Sequence, residues 1–181
     1  MPVTPLHFGP GLLIKAVIPR HFSWCAFAGS NVLIDIEPAA YWIVEGEPAH
    51  RSFHTYLGAS LVGVIAALIA LVALPYWLRW WNRQMSPTQA TWLGVETKVS
   101  RFSVWYGALI GAWSHVLLDS IMHHDVVPFA PLTQANALVG LVSISNLYLT
   151  CLFASLAELV RLQKVGQIPW SNLRGISPHS D

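Results

Sequence analysis

From residue 55 to residue 78 the chain carries no charged side chain, and the apolar run from Tyr56 to Leu74 has about the length needed to cross a hydrocarbon core. Its far end holds Tyr76, Trp77, Arg79, Trp80, Trp81 and Arg83, an aromatic and cationic belt of the kind that sits at headgroup level. Trp92, Trp105 and Trp170 also fall near expected boundaries, so the nine Trp residues read as interface anchors before they read as a substrate cage. The rest of the chain agrees: 54% of its 181 residues are hydrophobic and 10% are charged. So few charges leave a soluble domain without cover, whereas a surface that faces lipid needs none. A net charge of +1 offers no basic field for nucleic acid.

Two more apolar segments, residues 102–123 and 136–160, have similar length, which predicts three full spans. Ahead of them, residues 6–18 and 22–44 form shorter stretches, the second interrupted by Asp35, Glu37 and Pro38. These read as two shorter helices, the first tilted or partly inserted and starting near Pro10. The expected fold is therefore all-α: a polytopic helical membrane domain over residues 1–165, then an interfacial segment and mobile tail over 166–181. Residues 1–10 lack the basic start and apolar core of a signal peptide, so His7 is expected in the mature protein. Cys25 and Cys151, far apart in apolar runs, are expected as buried thiols.

The basic residues assign the sides. Arg79, Arg83, Lys98 and Arg101 lie between the first two spans, and Arg161, Lys164 and Arg174 follow the third, which puts both regions in the cytoplasm. Alternation then sends His7, Asp35, the His50–His54 region and the His123–Asp125 end of the second span to the opposite, extracytoplasmic face. No His was used to assign those sides, yet the sides collect nearly all of them.

On a helix, His115, Asp119 and His123 at i, i+4 and i+8 project from one side, drifting about 40° per step. His50 and His54 share the i, i+4 spacing if that region is helical. Imidazole and carboxylate together suit zinc, with manganese or iron as alternatives, and mixed His/Asp sets are typical of catalytic zinc. A single His at an apolar helix end is more often a hydrogen-bonded core residue than a ligand. Several ionisable groups near apolar spans need mutual compensation, at about 2.5–3.5 kcal/mol for a central Asp, and a shared cation supplies it. The expected ligands are His7, Asp35, His50, His54, His115, Asp119 and His123. Glu37 or Asp35 is expected to take a proton from water, Arg51 to be held by a carboxylate or to hold an anionic substrate group such as phosphate, and Asn31 to orient Asp35. His124 and Asp125 are weaker candidates, as polar residues at a helix end.

The opening from Met1 to Phe8, the segment from Asn31 to Pro38, the His50-Arg51-x-x-His54-Thr55 element and Ser114-His115-x-x-x-Asp119-Ser120 followed by Pro128-Phe129 resemble the membrane-bound, metal-dependent hydrolase family. Some members of that family are described as LexA-binding, inner-membrane-associated hydrolases. The resemblance covers residues 1–132; the third span is matched only in being apolar. It implies a multi-pass inner-membrane protein with hydrolase activity. The ligand order is also similar to that of zinc-dependent phospholipases C. That likeness implies two or more metals shared by His7, Asp35, His50 or His54, His115, Asp119 and His123, with Asp35 or Asp119 bridging them. No His-x-x-x-Glu pair follows His123, so a full three-metal set is not expected.

The function expected is hydrolysis by metal-activated water of a small-molecule or lipid substrate, a phosphoester first, among membrane lipids. A non-catalytic metal-binding or metal-transport protein is the alternative. Transport would need a polar path to the cytoplasmic face, and the first and third spans have no ionisable residue in their middles. Haem between paired histidines fits less well, because the carboxylates favour a harder cation.

Overall fold

The computed structural model describes residues 5–18, 21–45, 50–87, 89–90 and 97–166. Five long helices and no strand are found among them: α1 Gly9–Val17, α2 Trp24–Val44, α3 Tyr56–Arg83, α4 Arg101–Met122 and α5 Ile144–Gly166. The expected tail at 167–181, with Trp170, Arg174 and His179, lies outside the described residues, as do Arg20, the turn at 46–48 and Trp92.

Each start has a chemical reason. Pro10 occupies the first turn of α1, where its missing N–H forfeits no helical bond. Ser23, Thr55 and Ser100 cap α2, α3 and α4 by accepting from the backbone N–H of Ala26, Gly58 and Ser103. Thr55 also donates to the Ser52 carbonyl at 2.9 Å, which locks the turn before α3 to the helix itself.

Of the three expected spans, α3 is the one helix among the described residues that is long and apolar enough to cross a membrane by itself. Its 28 residues extend about 42 Å at 1.5 Å per residue. The span expected at 102–123 has the length in α4, but His115, Asp119, Ser103, Ser114 and Ser120 lower its hydropathy. The span expected at 136–160 begins only at Ile144. Asn136 is drawn to the end of α4, where its Nδ2 donates to the carbonyls of Ser120 and His123, and Gly140 turns the chain with a φ of 72°. The stretch expected at 22–44 is the 21-residue α2, which runs through Pro38 with Ile34, Asp35 and Glu37 buried around the proline.

Helices α2 and α4 run parallel, since Ser23 meets Ser103 and Asn31 meets His115; α3 runs antiparallel to both. Small residues form the shared interface. Ala26, Ala66, Ala67, Ala70 and Ala108 pack with Val104 at one level, and Ala59 and Ala112 pack with Ile34, Val62 and Val116 at the next. The large apolar residues point outward: Leu57, Leu61, Ile65, Leu68, Ile69 and Val72 of α3 are all exposed. Small residues inside and large ones outside is the pattern of helices that associate within lipid. α1 packs chiefly on α5. Lys15 donates to the Phe22 carbonyl at 3.0 Å and so closes the turn between α1 and α2.

Candidate metal centre

The packing brings one end of α2, the start of α3 and the end of α4 together, and the polar side chains meet there. His115 and Asp119 lie one turn apart on α4, Asp35 comes from α2, and His54 comes from a 3-10 turn, Ser52–His54, that leads into α3. His7 comes from a second 3-10 turn, Pro5–Phe8, ahead of α1. All five are buried.

Asp119 is the hub. Its Oδ2 lies 3.1 Å from both His54 Nε2 and His115 Nε2, and its Oδ1 lies 3.0 Å from His7 Nε2. Asp35 Oδ1 is 3.3 Å from His115 Nε2. The His7 ring stacks on that of His115, with centroids 4.1 Å apart. Asp35, His54, His115 and Asp119 can each offer one ligand atom such that all four atoms lie within 4.8 Å of one another.

The opposite nitrogens show what these atoms are ready to do. His115 Nδ1 donates to Asn31 Oδ1 at 3.1 Å, and Asn31 is itself oriented by its Nδ2 donating to the Phe27 carbonyl at 2.8 Å. His54 Nδ1 faces Glu37 Oε2 at 3.4 Å. With a proton on each Nδ1, the Nε2 lone pairs face Asp119. Despite the 3.1 Å separation, neither buried Nε2 is aligned for a hydrogen bond. Nitrogen and oxygen lone pairs held this close away from water repel unless positive charge lies between them. Ligand atoms around a tetrahedral zinc at about 2.0–2.1 Å stand about 3.3 Å apart. The three pair distances of 3.1–3.3 Å are compatible with atoms that share one cation. The donor set fits a divalent cation.

Electrostatics agrees. Burial alone would lower the His54 pKa, but the carboxylates of Asp119 and Glu37 outweigh it and raise it, so the site favours positive charge, carried by a proton on the imidazole or by a cation that replaces it. The same negative potential favours a cation.

The remaining expected residues fall in different places. Glu37 lies behind His54: its Oε2 accepts from the backbone N–H of Arg51 at 3.2 Å and of Phe53 at 2.8 Å, so it fastens the turn that carries His54. That is a positioning contact, away from the converging atoms where a proton acceptor for water was expected. Arg51 lies outside the converging set. It was expected to be held by a carboxylate or by an anionic substrate, and the chain supplies the carboxylate: its guanidinium pairs with Glu45 and lies 3.7 Å over the Tyr41 ring, both on or beside α2. Asn31 orients His115 rather than Asp35. His50 precedes α3 and is not on its helical face; it meets His54 edge-on, with centroids 4.6 Å apart, and pairs with Asp125. His123 sits at the end of α4 in extended conformation, so the i+8 spacing does not place it; its Nε2 still comes within 3.8 Å of Asp119 Oδ1.

Asp125 and Asn136 were undervalued by the sequence reading. Asp125 accepts from His50 Nδ1 at 2.9 Å; burial would raise its pKa, but His50 outweighs that and holds it below the usual carboxylate range. Asn136 could have been found by asking what satisfies the last carbonyls of a helix that ends inside the fold.

Replacing Asn31 by Ala frees the His115 ring to rotate and to exchange its tautomer. Loss of such an outer partner costs about 10–100-fold in metal affinity. Titration against a chromogenic chelator measures it, and an unchanged affinity would remove Asn31 from the account.

The chain matches no protein-family model, no curated protein and no solved structure.

Proposed function

We propose that the chain is a polytopic, membrane-embedded metal-dependent hydrolase of the cell inner membrane, with its centre facing the extracytoplasmic side. The observation that carries this reading is the pair of buried Nε2 atoms of His54 and His115, turned onto Asp119 without hydrogen bonds and 3.1 Å from its Oδ2. Zinc suits the His/Asp set best, with manganese or iron as alternatives.

Three features support the membrane placement. Helices α2, α4 and α5 also turn large apolar side chains outward: Ile36, Ile43, Phe102, Leu117, Leu152 and Phe153 are all exposed. Arg79, Arg83, Lys98 and Arg101 gather at the end of the α3–α4 pair remote from the ligands, as the positive-inside bias requires. Alternating crossings by α1 to α5 also bring the ligand-bearing ends to one side, in register with the parallel α2 and α4.

A cation held by these residues would polarise a scissile group and acidify a coordinated water. The chain supplies the remainder. Asp35, slightly accessible, turns its Oδ1 to the centre, and its other carboxylate oxygen is the one left to accept a proton. Asn31 and Glu37 hold the two imidazoles, and His7 covers His115. An open groove of about 540 Å³ runs beside the His54 turn, lined by Ser52, Thr55, Leu57, Leu61 and Pro131. Its apolar walls suit an acyl chain, which favours a lipid or other amphipathic phosphoester with its headgroup at the centre.

Elemental analysis of the detergent-purified chain tests the metal, and hydrolysis of phosphoesters in mixed micelles tests the chemistry. We expect at least about one transition-metal ion per chain, and loss of both metal and hydrolysis in His115→Ala. Full metal retention by that variant would sink the assignment. Tight metal binding with no hydrolysis would leave the non-catalytic alternative.

A further inference from the structure

The end of the bundle remote from the metal centre gathers positive charge. Arg79 and Arg83 lie one turn apart on α3, Lys98 precedes α4 and Arg101 is its first residue; all four are exposed. Leu71, Leu74 and Val99 pack against one core cluster, so the start of α4 lies beside the second half of α3. Among the described residues none of the four cations pairs with a carboxylate, and the first turn of α4 holds no acidic residue to offset Arg101. Asp35, Glu37, Asp119 and Asp125 are all drawn to the opposite end.

Gathered cations repel one another, and Arg101 adds to the positive end of the α4 dipole. An anion from outside the chain relieves both effects. The surroundings select its kind, because Tyr76, Trp77 and Trp80 are exposed among the α3 cations and Val72 is exposed one turn further into the bilayer. Arg79 lies 4.9 Å over the Tyr76 ring, and Trp77 stacks on Trp81 with centroids 5.8 Å apart. These contacts hold aromatic planes beside the charges, at headgroup depth. An occupant that meets both parts is anionic at its head and apolar below it, which a free inorganic anion is not.

We propose that this end of α3 and α4 is a binding site for the headgroup of an anionic phospholipid. Arg79, Arg83, Lys98 and Arg101 contact its phosphate oxygens by charge-assisted hydrogen bonds, and Trp77 and Trp80 lie against its glycerol and upper acyl carbons. A zwitterionic headgroup would bring its own cation among these four and fit less well. The inference rests on the membrane placement and is independent of the metal.

The test is quenching of Trp fluorescence by brominated lipid, with the full chain reconstituted in phosphatidylcholine vesicles that carry increasing fractions of brominated phosphatidylglycerol or brominated phosphatidylcholine. We expect phosphatidylglycerol to be preferred at least about tenfold, and Arg83→Gln and Arg101→Gln each to lower that preference about fivefold. Both positions are exposed, so each variant should keep the wild-type unfolding temperature. Equal quenching by the two lipids in wild type, or an undiminished preference in both variants, overturns the site and leaves the membrane placement standing. Loss of the preference to excess inorganic phosphate at fixed ionic strength would show a free-anion site and overturn the lipid assignment. No quenching by either lipid overturns the membrane placement together with this inference.

Discussion

Asp119→Asn is expected to abolish stoichiometric metal binding. The replacement keeps size and shape but removes the charge, and it puts an amide N–H₂ or a neutral oxygen where the Nε2 atoms of His54 and His115 converge at 3.1 Å. The other atom of the same group would meet His7, now at 3.0 Å from Oδ1. No rotation of the amide restores an anionic ligand. A loss of roughly a thousandfold or more in affinity, about 4 kcal/mol, is the expected scale. Chelator competition reads it directly, and wild-type affinity in this variant would remove Asp119 from the centre.

Gly111→Ala acts from behind the site. A Cβ at Gly111 would overlap Ser30 Oγ and lie 2.6 Å from the Phe27 carbonyl oxygen. Ser30 can rotate, at the loss of its 2.9 Å bond to Phe27, but the carbonyl belongs to the α2 backbone and cannot yield unless the helices part. Overpacking of this kind costs about 1–3 kcal/mol. The strain falls on the level where Asn31 reaches His115, so a lower unfolding temperature should come with weakened metal binding. A variant with unchanged thermal stability would show that α2 and α4 do not approach as closely as described.

The sequence disclosed the residue types and the end of the bundle where they gather, because apolar length and basic flanks are local properties. His115 and Asp119 could be paired from spacing alone, since both stay on one helix. His50, His54 and His123 could not. Their positions depend on a 3-10 turn and a helix end, set by Glu37 accepting two backbone N–H groups and by Asn136 binding two carbonyls, contacts between residues distant in the chain. The third span was misplaced because residues 136–143 are nearly as uncharged as a helix, although they serve as the clasp on α4. Small residues at 63, 107, 108, 111 and 112 were visible from the start; what they do, letting backbones approach, needed the neighbours' coordinates.

The docking of α1 on α5 bears on how the protein is made. Gly9 sits so close to Cys151 that any added Cβ would fall 2.7 Å from the cysteine's own Cβ, so the segment holding His7 is seated by a helix made after the other four. During synthesis Asp35, His54, His115 and Asp119 can assemble before that helix exists, and His7 completes the set only when this later segment reaches back to the earlier one.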